Sequence, residues 1–497
     1  EAGAAGLVIF LDPGDYGDGR GPTWPEGGWA NETCIQRGSI VTLPYKGDPL
    51  TPFEPARGDV NRLDPADVAL PGIPVQPIGY AAATRIMAAM KGPTVDIMGL
   101  DDWTGGMGVP YRVEGGDLKL RLEVSQVREI MKTANVFGVL PGCERPEELV
   151  IVGCHHDAWG FGAADPLAGL IVVLETAKVF AEAADRGLRP RRSIVFAAWG
   201  AEEFGIIGSC EWVEAEAERL RQNAVAYVNL DMAAMGTRFG ASGTPSLTEA
   251  VMRAAADTTQ PGEDRSVFDA WRGDREAPVV GDLGGGSDHI GFVCHLGVPS
   301  VSLSARGSQG SAHHSNYDTL AWYRATVGDE YVGATMLTRI TSALVAELAD
   351  SPLPPIDPVP AVAGLDRRLE VYEQSAIDAG LTIDLAALRL EVDQAQMACE
   401  AAARRLETAE ADDRLVQSLI DFDRAWIDEK GLPGRPWFRN QFAASDRDSG
   451  YGSVVLPRLS EAIRDRDQAA LDEAIDTYRT LILRIQESAN RIAPGSP

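Results

Sequence analysis

Between residues 129 and 350, apolar runs of strand length alternate with amphipathic stretches of helical period. LVIVG (149–153) is followed by LAGLIVVLETAKVFAEAA (167–184), and SIVFAAW (193–199) by SCEWVEAEAERLRQ (209–222); AVAYVNL (224–230) and VPSVSLS (298–304) add two more strands. Strands covered on both faces read as unbroken Val/Ile/Leu runs, so the alternation predicts an α/β unit with a mostly parallel central sheet flanked by helices. Residues 1–128 are rich in Gly and Pro, with short runs LVIFLD, SIVTLP and IPVQPIGY and one helical patch, AAATRIMAAM. That texture predicts a small β-rich domain with long loops. Its opening, EAGAAGLVIFLDPGDYG, reads as a helix end feeding a buried strand, as though the chain starts inside a domain. The proline-rich SPLPPIDPVPAVAG (351–364) predicts a linker. Beyond it, residues 365–497 predict a helical domain, periodic over 365–428 and 457–492 and interrupted by an irregular loop at 431–452.

Composition narrows the partners. With 73 acidic against 45 basic side chains the formal net charge is −28, which argues against nucleic acid or an anionic membrane surface, since both need a positive face. The six cysteines (Cys34, Cys143, Cys154, Cys210, Cys294 and Cys399) form no C-x-x-C pair, so neither a zinc ribbon nor a dense disulfide framework is predicted. No apolar run approaches the roughly 18 residues of a membrane span, and no signal-peptide pattern is visible. Asn31-Glu32-Thr33 is a glycosylation sequon by pattern and matters only in a secreted eukaryotic protein.

The chemistry gathers at strand ends, where open α/β sheets place their ligands. LVIVGCHHD ends in His155, His156 and Asp157; SIVFAAWGAEEFG leads to Glu202 and Glu203; AVAYVNLD ends in Asp231; His313 and His314 follow the last strand in SAHHSNYDT. A single Asp at such a place is ordinarily a cap or turn residue, and paired glutamates before a helix ordinarily complement its dipole. Four such segments on one rim instead predict a metal site. If Asp165, Glu203 and Asp231 ligate, their three negative charges are better balanced by two divalent cations than by one. Mixed imidazole and carboxylate donors suit zinc, with manganese or cobalt able to fit the same geometry. Consecutive Glu202 and Glu203 point in different directions, so one can ligate while the other shuttles the proton of an activated water. Asp157 is placed to accept the second N–H of His155 and set its tautomer. His156, His289 and His295 read as structural.

At these residues the sequence resembles the M28 metallopeptidases, and more closely their glutamate carboxypeptidase II and transferrin receptor branch. The motifs span nearly the whole chain: IQRGSI, GDPLTP and GIPVQPIGY; HHDAWGFGAADP, RPRRSIVFAAWGAEEFGIIGSCEWVE, YVNLD and HHSNYDT; and DEKGLPGRPWFRN. The resemblance implies a dinuclear zinc exopeptidase made of a protease-associated apical domain (1–128, lacking its N-terminal part), a catalytic domain (129–350) and a helical homodimerisation domain (365–497). It implies Asp165 bridging two zinc ions, His155 and Asp231 completing one, Glu203 and His314 completing the other, and Glu202 as general base. It also implies a cis peptide at Asp165-Pro166 and a structural calcium ion held by Thr51, Glu211 and Glu214. Tyr451, His313, Ser287 and Asp288 fall at substrate-contacting positions. Where the family carries cations that read a terminal glutamate, this chain has Gly450 before Tyr451, and Ser302 and Ser304 near the arginine patch. Ser39 and His313 replace a family asparagine and tyrosine, and Gly200 replaces an aspartate. The implied function is an exopeptidase of short peptides, carboxypeptidase in type but without strong selectivity for a terminal glutamate. An aminopeptidase with the same metal centre is the alternative. A non-catalytic receptor is disfavoured by the intact ligand set, and a one-zinc glutaminyl cyclase by the long helical domain. An extracellular, periplasmic or membrane-anchored location is the family expectation.

Overall fold

A computed structural model describes residues 3–40 and 43–493. Its strands are β1 (Leu7–Ile9), β2 (Val75–Pro77), β3 (Val136–Leu140), β4 (Arg145–His155), β5 (Arg192–Trp199), β6 (Ala224–Asn229), β7 (Gly236–Gly243), β8 (Ser300–Gly307), β9 (Ala443–Ser445) and β10 (Ser453–Val455). Six of them form one sheet in the order β3-β5-β4-β6-β8-β7. The inner four are parallel, and the edge strands β3 and β7 run antiparallel to their neighbours. The four apolar runs are the four inner strands. Of the two edges, β3 carries the short apolar run VFGVL, while β7, GTRFGASG, has no apolar run at all, because an edge packs on fewer neighbours.

Leu149–Cys154 of β4 are fully buried, and alternate residues serve opposite faces. Val150, Val152 and Cys154 join the larger core beneath the helices Leu167–Asp185, Thr248–Ala256 and Val332–Asp350. Leu149 and Ile151 join Trp199, Tyr227 and Phe292 under the helices of 207–223. The amphipathic stretch over 209–222 is two helices, Ile207–Ala215 and Ala217–Asn223, meeting at Glu216. The 19-residue helix Val332–Asp350 corrects one expectation, since it is long and apolar enough to cross a membrane by length and composition. Here its apolar side packs on Leu167–Asp185 and on β4, β5, β7 and β8.

Two boundary expectations change. Residues 1–128 are not β-rich: the described residues hold the short parallel pair β1–β2, one longer helix (Tyr80–Ala89), a single helical turn at Pro13–Tyr16 and two 3-10 turns, joined by irregular chain. Leu7 and Ile9 of the strand expected to be buried are exposed, because β1 has a neighbour on one side only. Val41 and Thr42 of the SIVTLP run lie outside the described residues. The proline-rich 351–364 is no free tether. Ile356, Ala361 and Val362 are buried in the same core as Leu344 before them and Leu369 after them. The helices that follow, Leu365–Asp378, Ala386–Leu406, Asp413–Ile420, Pro457–Asp465 and Gln468–Ile492, form the helical unit, and its loop carries the antiparallel pair β9–β10.

Candidate metal centre

Strand order sets the site. The chain runs from β4 to β5 on one side, then to β6 on the other side of β4, so the order reverses at β4, where a crevice opens beyond the carboxyl ends. Register aligns those ends: His155 pairs with Trp199, and Gly153 with Asn229. His155 is therefore flanked by the turn after β5, carrying Glu202 and Glu203, and by Asp231 after β6.

His155 Nε2 lies 3.1 Å from Asp165 Oδ1 and 3.2 Å from Asp231 Oδ1. On the other side, His314 Nε2 lies 3.0 Å from both Asp165 Oδ2 and Glu203 Oε2. The five side chains expected as ligands are thus one cluster with Asp165 at its centre, immediately before Pro166 in the cis peptide Asp165-Pro166. Burial works against the charged forms here. Even so, His155, His313 and His314 hold the Asp165 carboxyl far below the usual range, while Asp165 and Glu203 carry His314 up to about 10. His155 is likewise raised, by Asp231, Asp157 and Asp165 against its burial.

Asp157 works differently from expectation. The His155 Nδ1 bond goes to its backbone carbonyl at 3.0 Å, and the carboxylate stands further off at 3.6 Å. That carboxylate instead accepts the amides of Glu202 (3.0 Å) and Glu203 (3.2 Å). It pins the turn that begins at Ala201, whose φ of +57° is a left-handed conformation costing about 1–2 kcal/mol for a residue with a Cβ. Burial, followed by the charges of Asp288, Asp231 and Glu203, pushes the Glu202 carboxyl well up although His155 opposes it. A carboxyl so placed is suited to hold and pass a proton.

The remaining candidates divide. His313 does not stand apart as a substrate contact; its Nε2 is 3.0 Å from Asp165 Oδ2 and its ring stacks on His314 at 3.7 Å. Ser287 and Asp288, expected at a substrate surface, are buried: Ser287 Oγ accepts from Asn229 Nδ2 (3.0 Å) and Asp288 from Ser209 Oγ (2.6 Å). They form the floor of the site. Tyr451 is exposed and lies over Gly286, where a Cβ would fall 2.7 Å from its ring. The neighbouring Gly285 faces the Gly450 carbonyl in the same way, so the triple glycine lets the 446–453 loop of the helical unit reach the site. Gly200 has no room for a side chain, since a Cβ would meet Thr133 and Ala134; its amide is received by Asn135. His156, His289 and His295 bond to backbone carbonyls away from the cluster.

Sequence reasoning missed three parts. Buried Asp318 accepts the amides of Ala164 (2.7 Å) and Asp165 (3.0 Å) and so orients the central carboxylate. Its signal was present, four residues past His314 in HHSNYDT. The Arg37 carbonyl receives His314 Nδ1 at 2.9 Å, and Ser39 Oγ bonds the Glu203 carbonyl at 2.7 Å. Both contacts come from the IQRGSI segment, where the motif is visible in the sequence but the partners it meets are not.

The donors fit divalent metal. Two three-donor groups, His155/Asp165/Asp231 and Asp165/His313/His314, share Asp165, with donor atoms in each within 4.8 Å of one another. Glu203 Oε1 is buried without a hydrogen-bond partner among the described residues. Imidazole with carboxylate is a zinc donor set. Comparison with known families agrees. The model described as peptidase family M28 matches residues 135–331, and that of the transferrin receptor-like dimerisation domain matches 381–490. The chain is 34% identical over 93% of its length to the probable glutamate carboxypeptidase LAMP1 of Arabidopsis thaliana, spanning 67% of that protein. It belongs to peptidase family M28, in the glutamate carboxypeptidase and transferrin receptor-like branch. It is also 32% identical over 75% of its length to the aminopeptidase NAALADL1 of Rattus norvegicus, spanning 53% of that protein. The chain thus covers between half and two thirds of these relatives. Among solved structures, a peptidase M28 precursor from Shewanella amazonensis SB2B matches 71% of the chain and 61% of its own at 17% identity, with a TM-score of 0.40.

This M28 chain has a second acidic cluster, where the helix Ile207–Ala215 meets two loops. Glu211 accepts the amides of Asp48 (2.6 Å) and Ala56 (2.5 Å), and Glu214 accepts Trp437 Nε1 (2.7 Å). Thr51 Oγ1 and Glu214 Oε2 are buried and unpartnered among the described residues, as fits a site for an oxygen-seeking cation. Burial above all raises Glu211 to about 8 and Glu214 to about 7.

Proposed function

We propose that this protein is a two-zinc exopeptidase that removes terminal residues from short peptides, of carboxypeptidase type, and acts as a homodimer. The observation that carries the reading is the meeting of two donor sets on Asp165, with His155 and Asp231 on the side of Oδ1 and His314 and Glu203 on the side of Oδ2. Beside it stands Glu202, a carboxyl next in sequence to Glu203 whose proton affinity is raised by burial. When bound, zinc would polarise the scissile carbonyl and acidify the attacking water. His155, Asp231 and Asp165 would hold one ion; Asp165, Glu203 and His314 would hold the other. Glu202 takes a proton from the attacking water at its carboxylate and delivers it to the leaving amine. Asp157 keeps Glu202 in place through the amide bond, and the Arg37 carbonyl keeps His314 Nε2 facing the cluster. Thr51, Glu211 and Glu214 would hold a calcium ion that ties the N-terminal loop to the catalytic helix.

The carboxypeptidase type draws on the name of the Arabidopsis relative. The aminopeptidase name carried by the rat relative supports the second reading. A peptide pool supplied free, N-blocked, C-amidated and doubly blocked, incubated with the zinc-loaded protein and read by mass spectrometry, separates them. Cleavage that tolerates the N-block but not the amide, and that is lost by at least about 100-fold in Glu202→Gln, is the expected result. The reverse tolerance means an aminopeptidase, and survival of every peptide by a folded, zinc-bound protein sinks the exopeptidase reading.

A further inference from the structure

Lys46 stands where two sides of the cleft meet. Its chain neighbours are anchored: Tyr45 packs on the apolar cluster of Ile206, Cys210, Ile290 and Trp437, and the Gly47 amide bonds the Gly205 carbonyl at 3.2 Å. The side chain therefore starts beside the Glu202–Gly205 turn. It ends at the loop of the helical unit, where Nζ lies 3.2 Å from the point a Cβ on Gly450 would occupy. Position 450 carries no side chain, and the Lys46 ammonium occupies the space one would take.

That ammonium has no direct hydrogen-bond or ion-pair partner among the described residues. Its neighbours on the loop are committed: Arg435 pairs with Glu461 and bonds the Ser445 carbonyl, and Arg447 pairs with Asp465. Lys46 is half-buried, and its burial lowers its pKa while Glu202 is among the charges opposing that shift. A partly desolvated cation without a counter-ion is costly to keep unless a ligand supplies the anion. Beside it, Tyr451 offers an exposed hydroxyl, kept protonated by partial burial and by the Glu202, Glu203 and Asp165 carboxylates, which push it to about 12. A cation and a hydroxyl donor together face the cleft next to the proton-shuttling Glu202. Each exopeptidase substrate of the carboxypeptidase type carries a free carboxylate one residue beyond the scissile bond, on the leaving-amine side.

We propose that Lys46 binds the free α-carboxylate of the substrate's C-terminal residue, with the Tyr451 hydroxyl as second donor. The assignment rests on the carboxypeptidase reading above. It makes the N-terminal segment a part of the specificity site, and it supplies a cation at the place where the sequence pattern reads as having lost one.

The test is steady-state cleavage of N-blocked peptides with free C-termini by the full-length, zinc-loaded chain and its Lys46→Met, Lys46→Gln and Lys46→Arg variants. It is paired with calorimetric titration of N-acetylglutamate as a product-like probe. Loss of a charge-assisted bond to a ligand made equally in ground and transition states raises KM by about 10–100-fold with kcat little changed. That split is expected for Met and Gln, together with a weakening of at least about tenfold in N-acetylglutamate binding, and Arg should restore most of both. Unchanged KM and probe affinity in Lys46→Met, with wild type removing C-terminal residues, overturns the Lys46 role and leaves the carboxypeptidase reading standing. Wild type cleaving from the N-terminus alone overturns both. Should the neutral variants lose zinc or fold, reductive methylation of wild-type Lys46 decides: protection by N-acetylglutamate supports the role, and equal labelling with and without it refutes it.

Discussion

Asp157 holds two parts of the site with two different groups. Its carbonyl receives His155 Nδ1, and its carboxylate receives the amides of Glu202 and Glu203. Asp157→Asn keeps the carbonyl and one side-chain acceptor, and replaces the other with a donor that faces an amide N–H. Zinc affinity is expected to fall by roughly 10–100-fold, the usual effect of disturbing a group that supports ligands. Competition with a chromophoric chelator measures it, and an unchanged affinity would show that the turn after β5 is held by other means. At this scale His155 and Asp231 were legible because each sits at the end of an apolar run, while Asp165 and His314 stood out through the motifs HHDAWGFGAADP and HHSNYDT. The contacts of Ser39 and Lys46 were not legible, because their partners, Glu203 and Gly450, lie far away along the chain.

Among the elements, the short turn Asp423–Trp426 joins the helical unit to the catalytic core. Asp423 is buried there, accepts a bond from Ser246 Oγ, and is raised by burial from its ordinary 3.8 to about 6. A carboxyl raised on folding contributes stability that is fully present below pH 3.8 and is lost as pH rises through about 6. The difference amounts to something on the order of 2–3 kcal/mol. Asp423→Asn removes that titration. Relative to wild type, the variant should gain about 2–3 kcal/mol between pH 3.5 and pH 7.5 in urea unfolding. Parallel pH dependences for the two proteins would mean that folding leaves the Asp423 carboxyl unshifted. The inner strands and long helices were readable at this scale from period alone. The edge strand β7 and the β9–β10 pair were not, since short or one-sided strands need no apolar run.

For the whole molecule, one core runs through the proline-rich 351–364 into the helices, and the 446–453 loop returns to the metal cluster across the triple glycine. The helix Ala386–Leu406, within the region matched by the dimerisation model, leaves Leu390 and Met397 exposed seven residues apart on one side. If that side meets a second copy, Leu390→Glu with Met397→Glu should shift the sedimentation coefficient from dimer to monomer at micromolar concentration while the far-ultraviolet spectrum is kept. A dimer that survives both charges would place the interface elsewhere on the helical unit.

The sequence alone determined the α/β fold class with its mostly parallel sheet, and it put candidate metal-binding side chains at the strand ends. Those follow from local rules: strand runs buried on both faces are apolar throughout, helices repeat at 3.6 residues, and an open parallel sheet carries its chemistry at carboxyl ends. Tertiary structure decided which atoms meet. It gave the Asp157 carboxylate to a turn instead of a histidine, drew His313 onto Asp165, buried Ser287 and Asp288, and set Lys46 against Gly450. Each of these depends on contact between segments brought together by packing, and packing leaves no period along the chain.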